Sequence, residues 1–229
     1  MYRTYSPYSD PDEVTTAVEA GLHRELVGGL WDELGDFQLK LLTRYGLSSE
    51  HYLLDIGCGS LRGGIHFVRY LNSSHYFGSD LSPALLNAGY ERELMPLGLD
   101  AKLPRSNLIT DSQFKFHKFN QTFERALALS VFTHLPLNSL RICLENLSNV
   151  MQPGGIFHAT FFELPEYKRT SSEFEHAPAG IITHGDADPY HYRYSDLEFA
   201  ARGLPWRVKY EGEVGHPRGQ RLANFIRVT

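Results

Sequence analysis

The sequence has few of the features that mark secreted, membrane-spanning or nucleic-acid-coating proteins. It contains only two cysteines, too few for a disulfide framework. No window approaches the roughly 18 unbroken apolar residues of a transmembrane helix, and the N-terminus lacks the apolar centre of a signal peptide. The net charge of −5 argues against a broad nucleic-acid surface. We therefore expect a cytoplasmic protein that acts on neither nucleic acid nor membranes.

What is present is the composition of an ordinary globular protein. Hydrophobic residues make up 42% and charged residues 21% of the 229 positions. That length suits one α/β domain with a sizeable core, and we see no internal repeat. We expect a single domain over residues 1–229, with an arm and helical lid in residues 1–45. Monomer and homodimer are both open.

The most informative stretch is residues 52–64, YLLDIGCGSLRGG. Its apolar half predicts a buried strand, with Asp55 at the tip. Gly57 and Gly59 allow a sharp turn and close approach to a ligand, since neither has a Cβ atom. Ser60 is the expected N-cap of the next helix. A glycine turn between a strand and a helix is where α/β proteins hold nucleotide-like ligands.

A second acid strengthens this interpretation. The apolar run over residues 75–80 ends in Asp80, and the carboxylate there offers two acceptor oxygens to the two hydroxyls of a ribose. Leu81 follows it and could flank the base. The bend and the acid together predict a nucleoside with a free ribose.

Two details distinguish between candidate nucleosides. The dinucleotide pattern needs a glycine where this chain has Arg62, and Asp55 would repel a pyrophosphate. The ammonium and sulfonium of S-adenosylmethionine would instead favour an acid there. The chain thus resembles the class I S-adenosylmethionine-dependent methyltransferases, whose first motif is a strand, an acid, x, Gly, x, Gly. Asp55, Gly57 and Gly59 match it, while the frequent third glycine falls on Leu61.

The resemblance implies a fold and a cofactor. The fold is a doubly wound α/β sheet of seven strands, mostly parallel with an antiparallel last strand, helices on both faces and an N-terminal helical lid. Residues 46–229 would form this Rossmann-like core. The cofactor is S-adenosyl-L-methionine, with S-adenosyl-L-homocysteine as product. Asp55 would hold the methionine end, and Gly57, Gly59 and Ser60 would approach it through their backbone.

The resemblance also places an acid after the third strand, against the adenine amino group. We predict the third strand at residues 114–116, and the stretch that follows, residues 117–120, contains no acid. Asn120 could accept that hydrogen bond, or backbone could serve.

The remaining elements are predicted from periodicity and turn signals. Helices are expected from Pro11 to about Leu26 and over residues 30–45, and these would cover the cofactor. Of the lid candidates His23, Trp31 and Gln38, we place Trp31 rather in the core. Elements after the glycine turn are a helix from Pro83, a short strand at 108–109, strands at 123–130, 156–162, 206–213 and 222–228, helices at 138–151 and 194–201, and a long loop over 163–188.

Candidate catalytic residues follow from the expected sheet edge. In the family the end of the fourth strand touches the methionine part and the substrate, which here concerns Ser130 and the residues up to His134. Histidine is the commonest general base, so His134 is the first candidate, with His191 and Glu163 as further ones. A structural role is the alternative for each. His158, Tyr192 and His216 are weaker candidates beside the same edge.

We expect methyl transfer to an oxygen or nitrogen of a small molecule such as a sugar or secondary metabolite. The alternatives are a nicotinamide-dependent oxidoreductase and a non-catalytic partner that binds S-adenosylmethionine. Residues 184–191 include histidines and acids, but turn formation explains them better, and we predict no metal. Arg218 either binds an anionic acceptor or lies in a hairpin turn.

Overall fold

The structure is a computed structural model and describes residue 8 and residues 10–229. Contacts divide these residues into two compact units, one that ends at Lys115 and one that runs from Phe116 to Thr229. The predicted N-terminal arm falls mostly outside the described residues.

The first unit begins with three helices where two were predicted. They are α1 (Pro11–Glu19), α2 (His23–Leu26) and α3 (Trp31–Arg44). Asp10 caps α1, because its carboxylate accepts the N–H of Asp12 at 2.9 Å. The predicted first helix is interrupted where Gly21 adopts a φ of +84°. Val14 and Val18 are therefore buried, whereas Leu22 is exposed.

Three parallel strands form the sheet of this unit in the order β3-β2-β1, where β1 is Leu53–Ile56, β2 is Tyr76–Asp80 and β3 is Leu108–Thr110. Helix α4 (Gly64–Tyr70) connects β1 to β2. Helix α5 (Pro83–Ala88) follows β2 and begins at the predicted Pro83, and the hydroxyl of Ser82 caps it by accepting the N–H of Leu85. Every residue of β1 and β2 is buried, and the carboxyl ends of the parallel strands lie at one edge.

The third strand is not where we predicted it. Phe114 has a φ of +57°, and Phe116–Phe119 is a 3₁₀-helix. The short strand predicted at 108–109 is present as Leu108–Thr110, and it pairs with β2 as the third strand. Residues 114–116 alternate between apolar and polar side chains, but three residues are too few to distinguish a strand from a helical turn with one buried side chain.

The second unit contains β4 (Phe123–Ala128) and β5 (Met151–Glu163), which are parallel and connected by α6 (Leu137–Ser148). Strand β10 (Arg221–Arg227) pairs antiparallel with both β5 and β9 (Trp206–Glu213). The antiparallel final pair is thus confirmed.

The long loop predicted after β5 contains structure of its own. Strands β6 (Phe174–His176) and β7 (Ile181–Thr183) form an antiparallel hairpin, and β8 (His191–Tyr192) pairs parallel with the end of β5. Helix α7 (Tyr194–Ala201) follows. Its N-cap is Arg193, whose N–H donates to Asp196 at 2.9 Å.

The element order, mostly parallel strands and antiparallel closing strands confirm the predicted α/β, Rossmann-like fold class. Within the described part of the chain, no helix is both long and apolar enough to cross a membrane.

Candidate active site

Asp80 lies at the carboxyl end of β2 and organises the turn after β1. Its Oδ2 accepts the N–H of Gly59 at 2.8 Å, and its Oδ1 accepts the N–H of Ser82 at the same distance. Burial raises the pKa of this carboxyl, against the effect of its backbone hydrogen bonds. Each carboxylate oxygen has more than one lone pair, so it can accept further hydrogen bonds. These are the acceptors that the two hydroxyls of a ribose require.

The turn between β1 and α4 is built from left-handed backbone. Gly57, Gly59 and Leu61 have φ values of +70°, +54° and +64°. A Cβ atom on Gly59 would lie 2.7 Å from Cγ1 of Val27, so the position tolerates only glycine without movement. Leu61 replaces the family's third glycine in a conformation that still favours glycine. Its side chain is fully buried, which offsets that strain.

Asp55 is buried at the end of β1 and is only 3% exposed. Its Oδ2 accepts a hydrogen bond from the Tyr76 hydroxyl at 2.7 Å. Burial raises its pKa to about 7, helped by the negative charge of Asp80 and opposed by the Tyr76 hydrogen bond. A cationic ligand nearby would favour the ionised form.

Ser60 does not cap the following helix, whose N-cap is Gly63. Its hydroxyl instead donates to the carbonyl oxygen of His23 at 3.2 Å. The Arg62 guanidinium donates to the carbonyl oxygens of Val27 and Gly29, at 2.7 and 3.0 Å. Residues 23–29, which we call the strap, are therefore hydrogen-bonded to the glycine turn, and a lid function for them stays a prediction.

The strap also makes hydrogen bonds with Glu93. His23 Nε2 lies 2.7 Å from Oε1 of Glu93, and Arg24 donates to both Glu93 oxygens at 2.7 Å. Burial would raise the pKa of Glu93, but the hydrogen bonds with Arg24 and His23 lower it below its usual value. Trp31 is half-buried with the Arg24 guanidinium 4.8 Å from its ring centroid, so the core placement predicted for it is wrong. Gln38, in contrast, is 4% exposed.

Asp111 is a candidate that the sequence analysis missed. It directly follows β3, and its main-chain N–H donates to the carbonyl oxygen of Asp80 at 2.8 Å. Its Oδ2 accepts the N–H groups of Gln113 and Lys115, at 3.2 and 2.7 Å. Because the third strand was misplaced, the acid that the family puts after it was sought at the wrong position. Correct placement of the strand at 108–110 would have found it.

Asn120 lies before β4, whereas Ser130 follows the end of that strand. Asn120 has a φ of +49°, and its N–H donates to the carbonyl oxygen of His117 within a turn. The argument that selected Asn120 depended on the misplaced third strand, so that argument is wrong, and the adenine contact of Asn120 stays a prediction. Leu81 is 43% exposed beside Asp80 and stays a candidate for the adenine.

Ser130 lies in a polar cluster within the second unit. The Ser130 N–H donates to the Thr160 hydroxyl at 2.8 Å, and both hydroxyls donate to Oε1 of Gln220, at 3.0 and 2.7 Å. The φ of Ser130 is +60°. The hydroxyl is thus fixed at the carboxyl end of the β4–β5 pair, where the family's methionine contact was expected.

The first catalytic candidate has an acidic partner. His134 Nδ1 lies 2.8 Å from Oδ1 of Asp188. The His134 side chain is 30% exposed, while that of Asp188 is only 5% exposed. An imidazole that is partly exposed to solvent and oriented by a buried carboxylate can act as a general base.

Glu163 ends β5 and contacts Arg221, which lines a cavity. It accepts a hydrogen bond from the Tyr210 hydroxyl at 2.6 Å and lies 3.6 Å from the guanidinium of Arg221. The cavity is about 460 Å³, within the range of small-molecule sites. Its wall includes Arg221, Gln220 and Glu213.

The other histidine candidates are tied to protein groups. His191 is 1% exposed, with Nδ1 2.8 Å from the Thr183 hydroxyl and Nε2 3.0 Å from the Thr170 carbonyl oxygen. Burial lowers its pKa. His158 is fully buried at 2.7 Å from Asn224 Oδ1, and its pKa falls to about 4 because of that burial. These placements favour structural roles, and catalysis by His191 stays a prediction.

Two further side chains named from the sequence also lie inside the second unit. Nδ1 of His216 accepts the N–H of Arg218 at 3.1 Å, which is the geometry of a turn, and the hydroxyl of Tyr192 donates to the Leu135 carbonyl. Among the described residues, no group of three or more metal-ligating side chains is assembled.

A family model matches part of the chain. Residues 54–157, a little under half of the chain, match the family model described as a methyltransferase domain. This similarity supports the predicted enzyme of the methyltransferase family, whose methyl donor is S-adenosylmethionine.

Solved structures agree on the methyltransferase fold at low sequence identity. A S-adenosylmethionine-dependent methyltransferase from Clostridium acetobutylicum has a TM-score of 0.62 at 12% identity, with 92% of this chain and 97% of that chain covered. Streptomyces venezuelae DesVI gives 0.59 at 18% identity, covering 98% and 100%. The magnesium protoporphyrin IX methyltransferase from Synechocystis, with S-adenosylmethionine bound, gives 0.57 at 13% identity, covering 85% and 80%.

Proposed function

We propose that this methyltransferase transfers the methyl group to an oxygen or nitrogen atom of a small molecule, such as a sugar or secondary metabolite. The observation that carries the proposal is the imidazole of His134, oriented by a buried carboxylate and partly open to solvent. Oxygen and nitrogen acceptors lose a proton when they are methylated, so a general base serves them.

The residues of the first unit fit the methyl donor. Gly59 leaves space that a Cβ would fill, and both Asp80 oxygens lie at the strand edge with lone pairs for a ribose. We assign the ribose to Asp80, the methionine end to Asp55, Gly57 and Ser60, and the adenine to Leu81 and Asp111. Bound S-adenosylmethionine supplies a methyl group on a positively charged sulfur.

The second unit supplies the acceptor side of the proposal. Ser130, fixed by Thr160 and Gln220, would orient the donor's methionine part or the acceptor. Glu163 would hold a polar group of the acceptor, since its carboxylate lies beside Arg221 on the cavity wall. Cytoplasmic location and the oligomeric state stay predictions.

The test uses S-adenosylmethionine with a radioactive methyl group and the full chain. One arm supplies small hydroxyl and amine compounds, and the other supplies mixed tRNA and denatured protein. We expect the label in small molecules, with at least a 100-fold loss for His134→Ala. Asp186→Asn, an exposed acid of the same loop, is the control and should keep full rate. Label in the macromolecules alone would contradict the proposal.

A further inference from the structure

The two carboxylate oxygens of Asp188 have different surroundings. One oxygen of Asp188, Oδ1, meets Nδ1 of the imidazole at 2.8 Å. The other, Oδ2, is buried and has no hydrogen-bond partner among the described residues. A buried carboxylate needs a hydrogen-bond donor or a positive charge, so its negative charge is directed to the ring of His134.

This contact determines the tautomer of the neutral ring. A carboxylate only accepts hydrogen bonds, so the proton of the imidazole resides on Nδ1. The lone pair is then on Nε2, the nitrogen that can take a proton from a substrate. In the opposite tautomer, a lone pair of His134 Nδ1 would face a lone pair of Asp188 Oδ1 at 2.8 Å, which is repulsive.

The two segments that carry the pair are fastened to each other. The N–H of Tyr190 donates to the Thr133 carbonyl oxygen at 2.7 Å. The Tyr192 hydroxyl donates to the carbonyl oxygen of Leu135. Hydrogen bonds thus link the Asp188 loop to the residues on both sides of His134, which limits movement of the pair and fixes its geometry before an acceptor binds.

We propose that Asp188 is the positioning residue of the general base, holding His134 in the Nδ1–H tautomer, and that the acceptor group therefore carries a removable proton. This deepens the proposed function and depends on it. In the step, a lone pair of the acceptor oxygen or nitrogen forms the bond to the methyl carbon, and the carbon–sulfur electron pair stays on sulfur. The acceptor proton passes to Nε2 of His134, and Asp188 stabilises the imidazolium that results.

The first test reads the tautomer without any acceptor. Nitrogen-15-labelled histidine in the full chain gives ring nitrogen shifts by two-bond proton correlation, in slightly alkaline buffer, and His134→Gln assigns the signal. We expect the Nδ1–H form for His134, and a shift towards the Nε2–H form in Asp188→Asn. The same shift in Asp188→Ala would confirm it if the asparagine variant does not fold. An Nε2–H ring in the wild type, or no change in either variant, would overturn the proposal.

The second test separates positioning from loss of structure. Calorimetry with S-adenosylhomocysteine should give a Kd within about twofold of wild type for Asp188→Asn, because the donor residues are elsewhere in the chain. With an acceptor from the labelling experiment, kcat should fall on the order of 10²- to 10⁴-fold with little change in KM. Asp188→Glu should recover part of the rate, and Asp186→Asn should match wild type. If Asp188→Asn changes the tautomer of His134 but no small molecule is labelled, only the proposed function is contradicted. If Asp188→Asn keeps the wild-type rate, the positioning role of Asp188 is contradicted.

Discussion

The main-chain N–H of Asp111 donates to the carbonyl oxygen of Asp80 across 2.8 Å. This bond continues the parallel pairing of β3 with β2 by one residue, so the two carboxylates follow neighbouring strands at the same edge. In the function that we propose, Asp80 binds the ribose and Asp111 binds the adenine amino group.

Replacing Asp80 by asparagine should weaken donor binding. The variant loses a charge-assisted acceptor for the ribose and for the N–H of Gly59. Hydrogen bonds to charged groups contribute about 1.5–3 kcal/mol, so the Kd for S-adenosylhomocysteine should rise on the order of 10- to 100-fold. Calorimetry measures this, with the exposed Asp100→Asn as control. Equal affinities for the two variants would refute the ribose assignment.

Asp111→Asn should change the preference among bases. The wild type should bind S-adenosylhomocysteine more tightly than its inosine analogue, which carries an oxygen in place of the amino group. An asparagine amide can donate to that oxygen, so the preference should shrink by roughly tenfold. Competition calorimetry with both ligands gives the ratio. The assignment fails if the variant discriminates as strongly as the wild type.

Asp55→Asn should change how stability depends on pH. Burial raises the pKa of Asp55 to about 7 from 3.8, so the folded state binds this proton more tightly than the unfolded state. The free energy of unfolding should therefore decrease as pH rises from about 4 to about 7. Asparagine removes this contribution, which is at most roughly 4 kcal/mol at pH 8. Urea unfolding at pH 5 and pH 8 should show a smaller decrease for the variant; parallel decreases would be inconsistent with the raised pKa.

Binding of S-adenosylmethionine should release protons near pH 7. If Asp55 meets the methionine end, the ligand's positive charge favours the carboxylate and lowers its pKa from about 7. Titration in phosphate and in Tris buffer should differ in apparent enthalpy and reveal up to about one proton released. S-adenosylhomocysteine lacks the sulfonium and should release less. Asp55→Asn should abolish the difference between the buffers.

Gly59→Ala should destabilise the glycine turn. The new Cβ would meet Cγ1 of Val27 at 2.7 Å, and the backbone φ of +54° disfavours any side chain. Gly98 has a φ of +66° with open space around it, so Gly98→Ala gives the backbone cost alone, about 1 kcal/mol. We expect the Gly59 variant to lose a further 1–2 kcal/mol, roughly, from crowding, and to bind S-adenosylhomocysteine more weakly. Thermal unfolding of both variants tests this.

The sequence by itself predicted the elements that local pattern encodes. Asp55, Gly57 and Gly59 carry the first motif because strand, acid and bend are contiguous in the chain. The end of β2 at Asp80, the start of α5 at Pro83 and the antiparallel pair β9–β10 were predicted for the same reason. The short strand at 108–109 was predicted, but the third strand of the sheet was placed at 114–116, because three residues are too few to show which strand joins the sheet, and Asp111 was therefore not considered as a candidate.

Only the tertiary structure decided which distant side chains meet. Ser60 was predicted as a cap from its local position, but it bonds to His23, 37 residues away. His134 and Asp188 are 54 residues apart, and no spacing rule connects a turn after β4 to a loop after β7. Local preference fixes turns, caps and strand ends because those interactions close within a few residues. The orientation of a general base depends on burial and hydrogen bonding between remote segments, which exist only once the chain has folded.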